Sequence, residues 1–100
     1  LGLLDKADVQ NETTAKPAYK KYFMHGTSHH LGLDTHDYGL LHLPMEPNMV
    51  FTVEPGIYLP DEGFGIRLED DVGEQASGEP INIMAQIPLE ADEIEDLMNA

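Results

Sequence analysis

Residues 25 to 39, HGTSHHLGLDTHDYG, bring His25, His29, His30 and His36 together with Asp34 and Asp37. Imidazole is the commonest transition-metal ligand among side chains, and carboxylates extend the choice to harder ions such as manganese. Two further acids stand where strand patterns end. Glu54 closes the apolar run MVFTVE, and Glu69 closes the alternating run GFGIRLE two residues after Arg67. A buried carboxylate without a partner is costly, so each needs a cation, a basic side chain or solvent beside it. One imidazole and two strand-end glutamates form an incomplete ligand set for a hard cation, as in part of a hydrolytic metal site. Asp34, Asp37, Asp70 and Asp71 could add donors by composition, yet none lies on a face that the pattern picks out. Competing roles are ordinary ones. His42, in LLHLP, reads as a surface histidine, and His30 reads as a neighbour of a ligand. His25 and His29 have the spacing of one helix face, but Gly26 and Gly32 weaken a helix there, and no HExxH pattern is present.

These residues must be positioned mostly by strands. MVFTVEPGIYL, residues 49 to 59, holds two β-rich runs split by Pro55-Gly56, and Pro55 keeps Glu54 extended. GFGIRLEDDV, residues 63 to 72, alternates as one strand, with Gly65, Arg67 and Glu69 on one face and Ile66 and Leu68 on the other. Tyr22 to Met24 is expected to be a short strand leading into a histidine-bearing loop, and INIM a further strand after a turn at ASGEP. LGLLDKA reads as the back end of an apolar helix, followed by a polar connector in which Pro17 discourages helix. EADEIEDLMNA closes the chain as a helix with Ile94, Leu97 and Met98 on one stripe and acids in its first turn.

The formal charge of −14 argues against nucleic acid or an anionic membrane surface as partner. No apolar run reaches the length of about 18 residues that a spanning helix needs. The absence of cysteine excludes disulfides and thiolate zinc sites and suits a cytoplasmic location.

The three motifs YFMHGTSHHLGLDTHDYG, TVEPGIY and GIRLEDD, in that order, resemble the C-terminal signatures of the pita-bread metallopeptidases, and within them those of the aminopeptidase P (Xaa-Pro aminopeptidase) family. DEIEDLM is similar to the closing helix of bacterial members. The resemblance runs from about residue 15 to the C-terminus. It implies an α+β fold, the second half of a pita-bread domain with a curved antiparallel sheet flanked by helices, so that residues 1–100 are the C-terminal portion of a catalytic domain. It further implies two divalent metal ions, Mn before Co or Zn, that activate a hydroxide to cleave an N-terminal Xaa-Pro bond. By the same resemblance His29, Glu54 and Glu69 are metal ligands, with Glu69 bridging both ions and Glu54 also shuttling a proton. His25 and His36 line the substrate site and stabilise the tetrahedral intermediate. Arg67 organises the site near Glu69, and Tyr58 belongs to the pocket.

The family's other ligands, two aspartates on upstream strands, precede the segment seen here, so the piece alone is expected to be inactive. Its partner is expected to be a peptide with proline in second position. The alternatives are a prolidase, cleaving Xaa-Pro dipeptides, and a binding module that has lost catalysis. One departure stands out: where the family continues the EDD motif with an apolar strand, this chain reads VGEQA, and Gly73-Glu74 is expected to bring a bulge or an altered strand edge. A sheet lacking half its partners exposes an edge and an apolar face, so association into a homo-oligomer or with another chain is expected.

Overall fold

The central run of the chain forms one long antiparallel hairpin, interrupted once. In the computed structural model, which describes residues 1–100, strand β1 (Val50–Val53) pairs with β4 (Asp70–Gly73), and β2 (Gly56–Leu59) pairs with β3 (Phe64–Arg67). Both ladders share one register. From Val53↔Asp70 two intermediate rows, Glu54 opposite Glu69 and Pro55 opposite Leu68, lead to Gly56↔Arg67. The ladder lapses at the row containing Pro55, which has no N–H to give, and a single Leu68 N–H to Pro55 O bond of 3.2 Å carries across. The expected strand over 63 to 72 is therefore two strands, passed from one sheet to the other at Leu68-Glu69. The hairpin tip is a 3-10 turn, Pro60–Glu62, closed by Gly63.

β4 is a central strand, since β5 (Ile81–Asn82) pairs with its outer side. Gly73-Glu74 brings neither a bulge nor an edge: Gly73 lies in register opposite Val50 and Ile81, and Glu74 N–H continues the ladder to Met49 O at 2.8 Å. β5 is shorter than INIM because Asn82 Oδ1 caps Met84 N–H at 2.8 Å and starts a turn.

The histidine segment, expected as a loop, runs antiparallel to the free side of β1. Glu54, Thr52 and Leu31 N–H groups donate to Thr27, His29 and Val50 carbonyls at 2.8, 3.0 and 2.9 Å, with a bridge at His30↔Phe51. Tyr22–Met24 is not a strand. The stretch makes one ladder-type contact, Tyr58 N–H to Tyr22 O at 2.8 Å, because the residues before it coil into a 3-10 turn at Ala18–Lys21. The N-terminal helix is also placed differently: α1 spans Lys6–Gln10 and begins, rather than ends, here. Asp5 and Asp8 form a reciprocal capping box, each side chain accepting the other's N–H. The closing helix α2 (Ala91–Met98) forms as expected, but its apolar stripe lies open, with Met98 80% exposed.

Burial is slight. Phe51 and Thr52 are the buried side chains of note, and the accessible surface is 8196 Å². A closed monomer of 11.1 kDa would expose about 5,700 Å². Ile57, Phe64, Ile66 and Leu68 form an open apolar face on the β2–β3 hairpin, the side away from Arg67 and Tyr58. No helix is long and apolar enough to cross a membrane.

A candidate metal-centre face at the strand break

Side chains on directly opposed positions of a sheet share a face. The shared register therefore puts His29, Thr52 and Asp71 in one row and Thr27, Glu54 and Glu69 in the next, all on one side. Asp71, contrary to expectation, shares this face because it continues the alternation of Arg67 and Glu69. His30 falls on the other side, where its ring packs on Phe51 at 4.5 Å and against Gly39, and so belongs to the small core.

On the shared face His29 Nε2 meets Glu54 Oε1 at 3.0 Å. His29 Nδ1 lies 2.9 Å from the His30 carbonyl, which can only accept, so Nδ1 carries the hydrogen. A neutral ring then turns the Nε2 lone pair toward a carboxylate oxygen. Two electron pairs facing at that distance need a proton or a cation between them. The spacing suits an ion: donors about 2.1 Å from one octahedral centre and at right angles stand about 3.0 Å apart. The Glu54 side chain is 12% exposed, with Thr52 Oγ1 also 3.0 Å from Oε1.

Arg67 links the two glutamates. Its Nη2 lies 3.1 Å from Glu69 Oε2 and its Nη1 lies 3.9 Å from Glu54 Oε2. Glu69 is thereby tied to Arg67 rather than to the His29–Glu54 pair, and no group of three or more histidines and acids converges on one point. What stands on this face is a paired imidazole and carboxylate, with a second carboxylate braced beside them by Arg67.

His36 packs against His29 with ring centroids 4.3 Å apart and the rings tilted by 41°, on the loop that Asp37 braces. Asp37, open by composition as a ligand, instead accepts the Leu33 and Tyr38 N–H groups at 3.1 and 2.9 Å. Asp70 likewise accepts from the Asn82 amide at 2.9 Å. His25 and Tyr58 form a separate pair. His25 Nδ1 donates to Gly26 O at 2.7 Å, so Nε2 accepts the Tyr58 O–H, also at 2.7 Å. Tyr58 shares the hairpin face of Arg67 and lies over Gly56 and Gly65, where any added Cβ would crowd its ring. The pair shares no hydrogen bond with His29 or Glu54. Thr52 was not singled out by sequence, although its place two residues before Glu54 in an alternating strand puts it on the same face.

Comparison with known proteins identifies the family and the fold. Residues 5–73 match the model of Metallopeptidase family M24. The chain is 45% identical over 112 aligned positions to the Xaa-Pro aminopeptidase of Escherichia coli (strain K12), a match covering 100% of this chain and 25% of that protein. Among solved structures it is similar to a putative aminopeptidase P from Bacillus anthracis, with TM-score 0.78 and 39% identity over 98% of this chain and 21% of that one. The aminopeptidase PepP of Pseudomonas aeruginosa gives TM-score 0.71 and 40% identity over 82% and 22%. The likeness bears out the α+β, pita-bread architecture and the resemblance on which it was expected. The chain spans about a quarter of the length of the curated relative.

Proposed function

The chain belongs to metallopeptidase family M24, and on that premise we propose that it is the C-terminal portion of the catalytic domain of a cytoplasmic Xaa-Pro aminopeptidase. The observation that carries the reading is the 3.0 Å pairing of His29 Nε2 with Glu54 Oε1, on the face that also bears Glu69 and Arg67. His29, Glu54 and Glu69 would hold divalent ions, manganese for preference, with further donors from outside these residues. When bound, such ions polarise a carbonyl and make water a nucleophile near neutral pH.

The residues here do the rest. Glu54 takes the proton of the attacking water and delivers it to the leaving proline nitrogen. Arg67 holds Glu69 toward the same face, so that its charge is not lost to solvent. His36, beside His29 and exposed, can donate to the oxyanion that develops on the scissile carbonyl. His25, whose Nε2 is engaged by Tyr58, lines the substrate side. The substrate is a peptide with proline in second position, the class that the relatives' names specify.

The test is hydrolysis by the full polypeptide with manganese, using an Xaa-Pro-Yaa tripeptide, an Xaa-Pro dipeptide and the Glu54→Gln variant. Cleavage of the tripeptide, lost in the variant, supports the proposal. Cleavage of the dipeptide alone makes the protein a prolidase. Ion binding without cleavage of either makes it a binding module.

A further inference from the structure

Thr52 is the most deeply buried side chain, 1% exposed, and its hydroxyl lies between the two residues assigned to the cation. Thr52 N–H donates to His29 O at 3.0 Å. In return, His29 N–H donates to Thr52 Oγ1 at 3.1 Å, where a regular ladder would use the Thr52 carbonyl. A hydroxyl has a single proton. With the His29 amide on its acceptor side, Thr52 turns that proton to its other neighbour, Glu54 Oε1, at 3.0 Å. The same oxygen faces His29 Nε2. One lone pair of Oε1 is thus engaged by the hydroxyl while another is left toward the imidazole. The pull in the opposite direction is also visible, since Arg67 Nη1 stands 3.9 Å from Glu54 Oε2.

We infer that Thr52 is a positioning residue whose hydroxyl sets the orientation of the Glu54 carboxylate against the His29 imidazole and so prepares both donors for one divalent cation. The inference rests on the reading that His29 and Glu54 hold such an ion. Valine in its place keeps the shape and the strand preference. It leaves a part-buried His29 N–H without its acceptor and Glu54 free to turn to Arg67. Serine keeps the hydroxyl and loses only a methyl group.

The experiment is a calorimetric titration of manganese into the full polypeptide and its Thr52→Val, Thr52→Ser and Glu54→Gln variants. The visible absorption of the cobalt form reports ligand geometry independently of activity. Thr52→Val is expected to weaken binding by about 10–100-fold and shift the cobalt spectrum, while Thr52→Ser stays within about threefold, the pattern of a lost partner behind a ligand. Wild-type affinity and spectrum in Thr52→Val overturn the inference, as does Thr52→Ser falling as far as Thr52→Val. If Thr52→Val does not melt cooperatively, Thr52→Ala takes its place against Thr52→Ser under the same expectations. If the wild type takes up no ion, or Glu54→Gln binds as the wild type does, the assignment of His29 and Glu54 itself fails and the inference with it.

Discussion

Gly32 and Asp37 hold the loop that presents His36, and they should behave as one interaction. A Cβ at Gly32 would fall on Asp37 Oδ2, with Cγ 3.0 Å away, so Gly32→Ala must push the carboxylate aside. That carboxylate accepts the Leu33 and Tyr38 N–H groups. Hydrogen bonds to a charged acceptor reach about 1.5–3 kcal/mol, but at an exposed loop about 0.5–1 each is reasonable, so Asp37→Ala should cost about 1–2 kcal/mol. Gly32→Ala loses the same bonds and regains about 0.4–1 kcal/mol from the stiffer unfolded chain, a net cost of about 0–1.6 kcal/mol. In the double variant nothing is left to displace, so it should be no less stable than Asp37→Ala alone, a coupling of about 1 kcal/mol. Urea unfolding of the full polypeptide and its three variants measures this. Costs that add to within about 0.3 kcal/mol would refute the shared-carboxylate argument.

Tyr58→Phe removes the hydrogen bond to His25 Nε2 but keeps the ring contact at 5.4 Å. Stability should change by less than about 1.5 kcal/mol, while kcat/KM on an Xaa-Pro peptide falls on the order of 10-fold as the imidazole loses its fixed place. Unchanged kinetics would make the pair structural only. The isolated 100-residue chain, with 8196 Å² exposed and three residues buried, should melt without a cooperative transition and self-associate with rising concentration. A monodisperse monomer in sedimentation, melting sharply, would contradict that.

Much of this was legible because it rests on period and punctuation. The run over 49 to 59 declared itself by β-rich residues split at Pro55-Gly56 and the run over 63 to 72 by alternation, which placed Arg67 and Glu69 on one face before any pairing was known. The strand-like path of the histidine segment was not legible. Gly26 and Gly32 mark a loop by composition, and only the neighbouring strand β1 supplies the carbonyls and amides that straighten it. The start of α1 was hidden for a similar reason: LGLL reads as apolar helix, while the cap made by Asp5 and Asp8 decides where helix begins. Gly73 misled in the opposite direction. Glycine weakens an edge strand, but between β1 and β5 both neighbours hold the backbone, and Ile83 stands where a side chain would otherwise pack.

The break in the hairpin explains why the candidate site lies where it does. A single register carried through both ladders would make a continuous ribbon from Val50 to Leu59, and a continuous ribbon uses its backbone groups on itself. Pro55 removes one donor, and on the partner strand Leu68 and Glu69 fall outside both ladders. Glu54 and Glu69, opposite each other at that row, are thereby fixed by strands on both sides yet freed from regular pairing. The same row sits one step from Thr52, which borrows the His29 amide from the ladder and gives its hydroxyl to Glu54. A proline in a strand would ordinarily be a defect to be confined to an edge. Here it falls at the row where carboxylates of two strands stand opposite each other on a rigid frame, one beside the His29 imidazole and the other beside Arg67.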